Sequence, residues 1–428
     1  MTYECGENPD GENLDPLFDV LLEHIPAPQG DPEAPLQALV TNLDASAFLG
    51  RLALIRIYKG RIKKGQQVAW MRDVDGHPVI TSAKITELLR TVGVERTPTD
   101  TAEAGDIVAI AGIPEIMIGD TLADPDHAHA LPRITVDEPA ISVTIGTNTS
   151  PLAGRVSGHK LTARMVKNRL DTELIGNVSI KVVDIGRPDA WEVQGRGELA
   201  LAILVENMRR EGFEMTVSRP RVLVRREGGR RLEPIEEVTI DVDEEYASTV
   251  VDAMNRRKAV MLDMRSSGAG KTRIVFHAPS RGLIGYPSRF LTETRGTGVL
   301  NRVFHSYAPY KGDISGRRNG ALVSTETGQA VAYALFNLQD RGVMFVSPQD
   351  KVYEGMVVGE HNRDNDLGVN VLKGKKLTNV RASGTDEAVR LTTPITLSLE
   401  EAIAYIDDDE LVEVTPNAIR LRKRHLDP

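Results

Sequence analysis

The chain has 428 residues, which exceeds the roughly 100–200 residues of a typical domain, so three or four domains are expected rather than one compact core. A single cysteine excludes an internal disulfide and a cysteine-based zinc site. Charged residues interrupt every apolar stretch before it reaches the ~18 residues of a membrane span, and the first residues do not resemble a signal peptide. We therefore expect a cytoplasmic protein.

The net charge of −9 is unevenly distributed. Residues 1–150 hold 11 Lys and Arg against 23 Asp and Glu, whereas residues 151–428 hold 41 against 38. Within the second part, segments 219–231 and 256–273 each contain six basic residues and one acidic residue. Such clusters fit either a surface that binds a polyanion or an ordinary solvated face, and charge alone leaves both interpretations open.

The first 130 residues divide into two regions. Apolar residues at helical spacing predict an amphipathic helix over Leu14–Ile25, followed by a proline-rich linker up to residue 35. From residue 36 to 130, short runs with alternating apolar residues and glycine-containing turns predict a small antiparallel β-barrel. The predicted strands are Leu36–Leu43, Leu52–Tyr58, Gln67–Met71, Ile80–Leu88 and Ile107–Ile113.

An internal repeat covers residues 131–225 and 226–310. The pattern Glu-Pro, three residues, Val-Thr-Ile occurs at Glu138–Ile145 and again at Glu233–Ile240. Each copy continues in the order strand, helix, strand, strand, helix, strand. This order predicts two tandem ferredoxin-like βαββαβ domains.

Residues 311–428 form the last predicted region, a β-rich domain. Apolar runs predict strands at Ala330–Leu335, Val343–Val346 and Met356–Val358, and Leu399–Tyr405 is predicted to be a helix. The polar stretch His361–Thr393 has no clean period and predicts a long loop.

This loop combines basic residues with asparagines, set against Asp364 and Asp366. Lys and Arg neutralise phosphates and Asn hydrogen-bonds bases or riboses, so the mixture suits structured RNA, although a solvated loop fits the same composition. The candidate contact residues are Arg363, Asn370, Lys373, Lys375, Lys376, Asn379 and Arg381.

One segment, Gly268–Thr272, resembles the second half of a phosphate-binding P-loop. The complete motif needs a glycine where this chain has Arg265, and a helix after the Lys-Thr pair. The β-branched residues after Lys271 instead predict a hairpin turn between strands. A stand-alone nucleotide-binding enzyme using this segment is the alternative hypothesis.

No catalytic or metal-binding residue is predicted from the sequence. His127 and His129 have no third ligand nearby, and their alanine and proline neighbours indicate a linker. No nucleophile is accompanied by an identifiable base and orienting residue.

Several motifs together resemble one family. Segments of the predicted barrel resemble domain two of translational GTPases, and segments after residue 231 resemble domain five of elongation factor G. Gly368–Val371 and Lys373–Ser383 are similar to the C-terminal domain of the TypA/BipA GTPases. The barrel and domain-five segments are Gly50–Ile57, Ala104–Ala109, Ile118–Leu122, Leu232–Ile235 and Met254–Arg257.

The resemblance implies a ribosome-binding protein that acts as a monomer, away from membranes, in translation or in large-subunit assembly, including under stress. It implies contacts with both subunits, with 16S and 23S rRNA and with A-site tRNA. In the loop, it implies phosphate contacts by the lysines and Arg381 and finer contacts by Asn370 and Asn379.

The P-loop, the switch regions and the Asn-Lys-x-Asp element of such GTPases do not occur in this sequence. The resemblance therefore implies a member without its GTP-binding domain, with residues 1–35 as the remnant of that domain's last helix. GTP and Mg²⁺ belong to the full-length family, and no cofactor and no catalysis of its own are expected for this chain. An inert truncated product is a further interpretation.

Overall fold

The computed structural model describes residues 13–46, 48–74, 77–134, 139–155, 159–268, 270–314, 317, 319–374 and 390–426. The chain forms two compact units. One comprises residues 1–136 with 175–178, and the other comprises residues 137–174 with 179–428.

The smaller unit begins with helix α1 (Asp15–His24), which confirms the predicted amphipathic helix. Each of its residues is exposed, including its apolar side chains. The strands that follow are β1 (Gln37–Ser46), β2 (Gly50–Lys59), β3 (Arg61–Lys63), β4 (Gln67–Val74), β5 (His77–Lys84), β6 (Glu87–Val92), β7 (Glu95–Pro98), β8 (Thr101–Glu103), β9 (Ile107–Ala111) and β10 (Thr121–Ala123).

Most of these strands form one antiparallel sheet in the order β5-β4-β10-β1-β2-β9-β6-β7, and β3 pairs with β8. Among the described residues no ladder joins β5 to β7, so closure into a barrel stays a prediction. The single strand predicted over Ile80–Leu88 is wrong. Ile85 exchanges backbone hydrogen bonds with the turn at Gly65 and Gln66, so the chain leaves the β4 ladder after β5 and pairs with β9 as β6.

The larger unit contains both copies of the repeat, and the predicted order of helices and strands is confirmed for each. The first copy consists of β11 (Ile141–Thr147), α2 (Ala163–Gly176), β12 (Lys181–Asp184), β13 (Ala190–Gly195), α3 (Glu198–Arg210) and β14 (Met215–Ser218). After β15 (Arg221–Val222) and β16 (Arg225–Glu227), the second copy consists of β17 (Arg230–Asp243), α4 (Glu244–Arg256), β18 (Val260–Gly268), β19 (Lys271–Pro279), α5 (Ser280–Leu283), α6 (Tyr286–Glu293) and β20 (Val299–Pro309).

Both copies have equivalent sheets, β12-β13-β11-β14 and β18-β19-β17-β20, and all their ladders are antiparallel. The first and third strands lie at the centre of each sheet. This is the strand arrangement that the βαββαβ prediction requires.

The C-terminal module of this unit starts at β21. Its elements are β21 (Ala321–Ser324), β22 (Gly328–Gln329), α7 (Ala332–Leu338), a 3₁₀ turn (Gln339–Arg341), β23 (Gly342–Met344), β24 (Lys351–Val352), β25 (Met356–His361), β26 (Leu367–Val369), α8 (Leu399–Tyr405), β27 (Glu410–Val414) and β28 (Ile419–Lys423).

Two predictions for this module are wrong. The run Ala330–Leu335 is not a strand but leads into helix α7, in which Ala334 and Leu335 are buried while Tyr333 and Phe336 are more exposed. A short apolar run fits both periods, and its Ala and Leu residues favour a helix. The predicted loop His361–Thr393 contains β26, which pairs in parallel with β21.

A single sheet joins the first repeat copy to the C-terminal module. Strand β14 pairs with β27, and the sheet continues from β27 through β28, β25 and β21 to β26. Val217 lies opposite Val412, and one hydrophobic core contains both residues together with Leu421 of β28. Two modules predicted as separate domains therefore share a sheet and a core.

The buried carboxylate of Glu413 binds both modules at this junction. Its Oε1 accepts hydrogen bonds from Asn148 Nδ2 at 3.0 Å and Ser150 Oγ at 2.6 Å, and its Oε2 accepts one from Tyr353 Oη at 2.6 Å. Arg420 adds a guanidinium at 3.3 Å. Burial raises the pKa of Tyr353 and keeps its hydroxyl a donor. A buried charge is tolerated only with such a complete set of partners.

A second connection joins α3 to the loop between β27 and β28. Arg209 donates from Nη1 to the carbonyl oxygen of Pro416 at 2.8 Å. Glu206 holds this guanidinium through two hydrogen bonds of 2.8 and 2.9 Å and also accepts one from Arg210. The Arg209 bonds, with those from Arg210, lower the pKa of Glu206 to about 2.

We predict that Glu413→Ala lowers the free energy of unfolding by about 3–5 kcal/mol, because it leaves a largely buried guanidinium and three polar groups without their acceptor. Urea denaturation followed by circular dichroism measures the change. Glu354→Ala, at an exposed position of the same module, is the control and should change stability by less than about 0.5 kcal/mol. Equal effects of the two substitutions would contradict a supporting role for Glu413.

We also predict that Glu206 makes stability depend on pH in the acid range. Its pKa is about 2 in the folded chain against an ordinary value of 4.5, so its contribution is complete above pH 4.5 and is lost as the pH falls toward 2. The difference in unfolding free energy between the wild type and Glu206→Gln should therefore shrink over this range. A difference that stays constant with pH, in urea titrations, would contradict the prediction.

Candidate functional site

The structure describes the base of the predicted RNA-binding loop. Arg363, Asn370 and Lys373 lie along the segment that leads into it, in which β26 is the regular element. The predicted contact residues that lie outside the described part of the chain are Lys375, Lys376, Asn379 and Arg381.

Arg363 lies in the turn between β25 and β26. Its backbone oxygen accepts a hydrogen bond from Gly320 N at 2.7 Å, while the buried ring of His361 lies 2.6 Å from the Asn365 oxygen. These contacts fix the turn and leave the Arg363 side chain exposed. In the described ranges no carboxylate forms an ion pair with it, so its charge faces solvent.

Asn370 is exposed between two buried valines, Val369 and Val371. Its Oδ1 accepts a hydrogen bond from Leu372 N at 2.9 Å, which closes a local turn. The backbone on either side is held as well, because Thr325 N donates to the Val369 oxygen at 3.0 Å. The side-chain oxygen of Asn370 therefore shapes the loop base.

Both ends of the predicted loop are fixed to the same module. At the outgoing end, Leu372 packs so closely on Gly328 that a Cβ there would lie 2.3 Å from its Cδ2, and the next residue, Lys373, is exposed. At the returning end, Thr392 N donates to Gln339 Oε1 at 2.5 Å and Ile395 N donates to the Met344 oxygen at 2.9 Å. Any charge on the loop is therefore presented from an anchored base.

A partly buried ion cluster lies behind the Arg363 turn and is not predicted from the sequence. Arg317 forms two hydrogen bonds of 2.8 and 2.9 Å with the fully buried Glu410, and Lys423 contacts Asp366 at 2.5 Å and Asp409 at 2.8 Å. Burial alone would lower the pKa of Lys423, but these carboxylates outweigh it and raise the pKa. Asp366, one of the two acidic residues of the predicted loop, is thus paired with Lys423 although its side chain is exposed.

The basic cluster at 256–273 is partly neutralised or covered. Arg273 forms a two-bond pair with Asp241 at 2.8 and 2.9 Å, and Arg257 lies over the Tyr286 ring at 4.2 Å. Burial lowers the pKa of Arg257. These residues support the second repeat copy and are less available to a polyanion.

The larger unit also contains a mainly apolar cavity of about 320 Å³ between α3, α6, β20 and α8. At its edge the Glu198 carboxylate accepts hydrogen bonds from Gly285 N at 3.0 Å and from Arg302 Nη2 at 3.1 Å. Burial raises the pKa of Glu198 in spite of this guanidinium. The Glu198 contacts thereby connect the two repeat copies.

The P-loop-like segment forms the predicted hairpin. Gly268 ends β18 with φ of 85°, and Gly270 precedes β19 with φ of 75°. Lys271 begins β19 opposite Asp243, and Thr272 is buried opposite Val242. A strand rather than a helix follows the Lys-Thr pair, so the amides there belong to a ladder.

Other classes of site receive no support from the described ranges. His127 Nδ1 lies 3.4 Å from Asp124, and no group of three or more His, Cys, Asp and Glu side chains in these ranges is placed to hold a metal ion. No helix in the described part is both long and apolar enough to cross a bilayer.

Comparison with known proteins relates the chain to one family. Residues 50–123 match elongation factor Tu domain 2, residues 230–318 match the elongation factor G C-terminus, and residues 319–428 match the TypA/BipA C-terminal domain. The chain is 48% identical over 416 residues to the large ribosomal subunit assembly factor BipA of Salmonella typhimurium, covering 97% of this chain and 68% of that protein. The chain belongs to the TypA/BipA family.

A second relative in this family is the large ribosomal subunit assembly factor BipA of Bacillus subtilis. It is 46% identical over 97% of this chain, and the match spans 67% of that protein. A crystal structure from Thermus thermophilus has a TM-score of 0.45 and 16% identity, covering 70% of this chain and 59% of that one.

We predict that the Gly268–Thr272 hairpin does not bind nucleotides, because strand β19 begins at Lys271, where a P-loop would have a helix. A fluorescent GTP or ATP analogue titrated against the wild type and Lys271→Ala checks this, with no saturable component expected in either. Saturable binding that disappears in Lys271→Ala would support the nucleotide-enzyme alternative instead.

Proposed function

We propose that this TypA/BipA-family chain binds the ribosome through ribosomal RNA and acts in assembly of the large subunit or in translation. The observation that carries the proposal is the anchored base of the loop after β26, from which exposed Arg363 and Lys373 extend beside internally neutralised acids. Two curated relatives named as large ribosomal subunit assembly factors support the ribosome as the partner.

In this proposal the basic residues and the asparagines of the loop contact different parts of the RNA. Lys373, Lys375, Lys376 and Arg381 contact phosphates, whereas Asn370 and Asn379 contact bases or riboses. The partners are 23S rRNA, 16S rRNA and A-site tRNA on ribosomes in the cytoplasm, the chain acts as a monomer, and its role extends to stress conditions.

We further propose that the chain acts by binding, without a GTPase site or bound cofactor of its own. GTP and Mg²⁺ would belong to the remaining third of the length of its relatives. The rival, an inert truncated product, predicts that no protein of this mass accumulates in cells, which an immunoblot of native lysate decides.

The decisive experiment is charge reversal in the loop. We predict that Lys373→Glu, Lys375→Glu and Lys376→Glu together weaken co-sedimentation with ribosomes by about tenfold or more, because three phosphate contacts are lost. Each lost contact should also reduce the magnitude of the slope of log K against log salt by about 0.9. Binding of the wild type should fall steeply between about 50 and 200 mM salt for the same reason.

A matched control carries the same change in net charge elsewhere. Arg164→Glu, Lys181→Glu and Lys351→Glu replace exposed basic residues that form no ion pair within the described ranges. This variant should bind nearly as the wild type does. Salt-insensitive binding, or equal losses in both variants, would contradict the proposal.

A further inference from the structure

We propose that the hairpin β16–β17, over residues 225–231, is a second RNA-binding element that binds the phosphate backbone of duplex RNA. The inference deepens the proposed function and rests on it, but it concerns a surface separate in sequence from the C-terminal loop. It starts from the basic cluster at 219–231, whose charge alone left its role open.

The cluster is not a uniform solvated face. Arg219 forms an ion pair with Asp407 at 2.7 Å, and Arg221 forms one with Asp408 at 3.3 Å. The Arg219 pair is half-buried, whereas both side chains of the Arg221 pair are exposed. The other four arginines lie on the hairpin, beyond these pairs.

The hairpin has a rigid backbone. Gly228 and Gly229 form its two-residue turn, both with positive φ, of 55° and 78°. Two successive positive φ values match the tight turn whose twist fits paired strands. Strand β17 continues from the hairpin into the centre of the second repeat sheet, so the tip is held by a structured domain.

The register of this hairpin places one pair of arginines directly opposite each other. Arg226 lies directly opposite Arg231, and Arg230 lies opposite Glu227. In the described part of the chain neither Arg226 nor Arg230 forms an ion pair, and both are exposed. Like charges directly opposite across strands are destabilising, so an arrangement of this kind is stabilised by a bound anion.

Two tyrosines orient neighbouring arginines of this surface. The Arg225 guanidinium lies 4.0 Å from the centre of the Tyr307 ring, and that of Arg231 lies 4.3 Å from the centre of the Tyr310 ring. Arg281 also lies over Tyr310, at 4.2 Å. Stacked on its ring, the Arg231 guanidinium keeps its N–H edges available, and these edges match the oxygens of a phosphate.

The same stacking favours a duplex over a single strand. Single-strand binders present open aromatic faces to the bases, whereas the rings of Tyr307 and Tyr310 are already occupied by guanidinium groups. Arg226 and Arg231 lie on one face of the hairpin and Arg230 on the other, so cations remain on both faces without a base-stacking platform. This suits the regular phosphate rows of an RNA helix.

The test uses the full chain and a fluorescein-labelled RNA duplex of about 20 base pairs. The triple variant Arg226→Glu, Arg230→Glu, Arg231→Glu should raise the Kd for this duplex about tenfold or more and reduce the salt slope by about 2–3, because three phosphate contacts are lost. The control variant at Arg164, Lys181 and Lys351 should leave both quantities nearly unchanged. Replacing the same three hairpin arginines by Gln should give a smaller loss in the same direction, and it keeps the test valid if the reversal impairs folding.

The other outcomes are distinguishable, and all but one of them contradict the inference. Equal weakening by the hairpin and control variants would mean that only the overall charge matters. If the hairpin variant lost co-sedimentation with ribosomes but bound the duplex unchanged, the hairpin would contact a protein partner instead of RNA. If the wild type did not bind the duplex, the hairpin would not be an RNA-binding element. Duplex binding that depends on the hairpin, in a chain that does not co-sediment with ribosomes, would contradict the proposed function while leaving the RNA element intact.

Discussion

The antiparallel ladder between β14 and β27 is the constraint on which the larger unit depends. It makes the first repeat copy and the C-terminal module one sheet, and it brings Glu413 into a position where residues of both modules must satisfy its charge. Removing a buried carboxylate from such a set costs more than removing a surface charge, because the partners left behind are also buried. This sheet also fixes the position of the base of the C-terminal loop, because β21, β25 and β26 are strands of the same sheet.

The distribution of acids explains how a chain of net charge −9 can present cationic surfaces. Several carboxylates are fully buried, and guanidinium and ammonium groups offset the charge of Glu233, Glu410 and Glu413, while hydroxyl groups donate further hydrogen bonds to Glu413. Their charge counts in the composition but contributes little to the field outside. At the hairpin tip the exposed guanidinium groups therefore dominate locally, so total charge is a poor guide to the partners of this chain. Among the described residues, the fully buried glutamates are Glu214, Glu233, Glu410 and Glu413.

Local sequence predicts the modules well and their connections poorly. The repeated Glu-Pro pattern and the periods that follow it are local signals, so both βαββαβ orders could be predicted. The prediction of a strand at Ala330–Leu335 is wrong because a few apolar residues fit a helix and a strand equally well. No local signal links β14 to β27. Glu413 within an apolar run hints at a buried partner, but Asn148 and Tyr353 as its donors are visible only in three dimensions. Likewise, the basic clusters can be predicted from the sequence. Which of their arginines is paired, as Arg219 is, and which is exposed, as Arg226 is, becomes visible only in the fold.

The shared sheet also has a consequence for the order in which the chain is made. Val217 pairs with Val412, roughly 195 residues later. At about 5–20 residues per second, the edge of β14 waits on the order of 10–40 s during synthesis before its partner strand emerges. For that time the first repeat copy has an open, apolar strand edge, which is a hazard for aggregation. Newly made chains should therefore need protection at β14 until their last residues have left the ribosome that makes them.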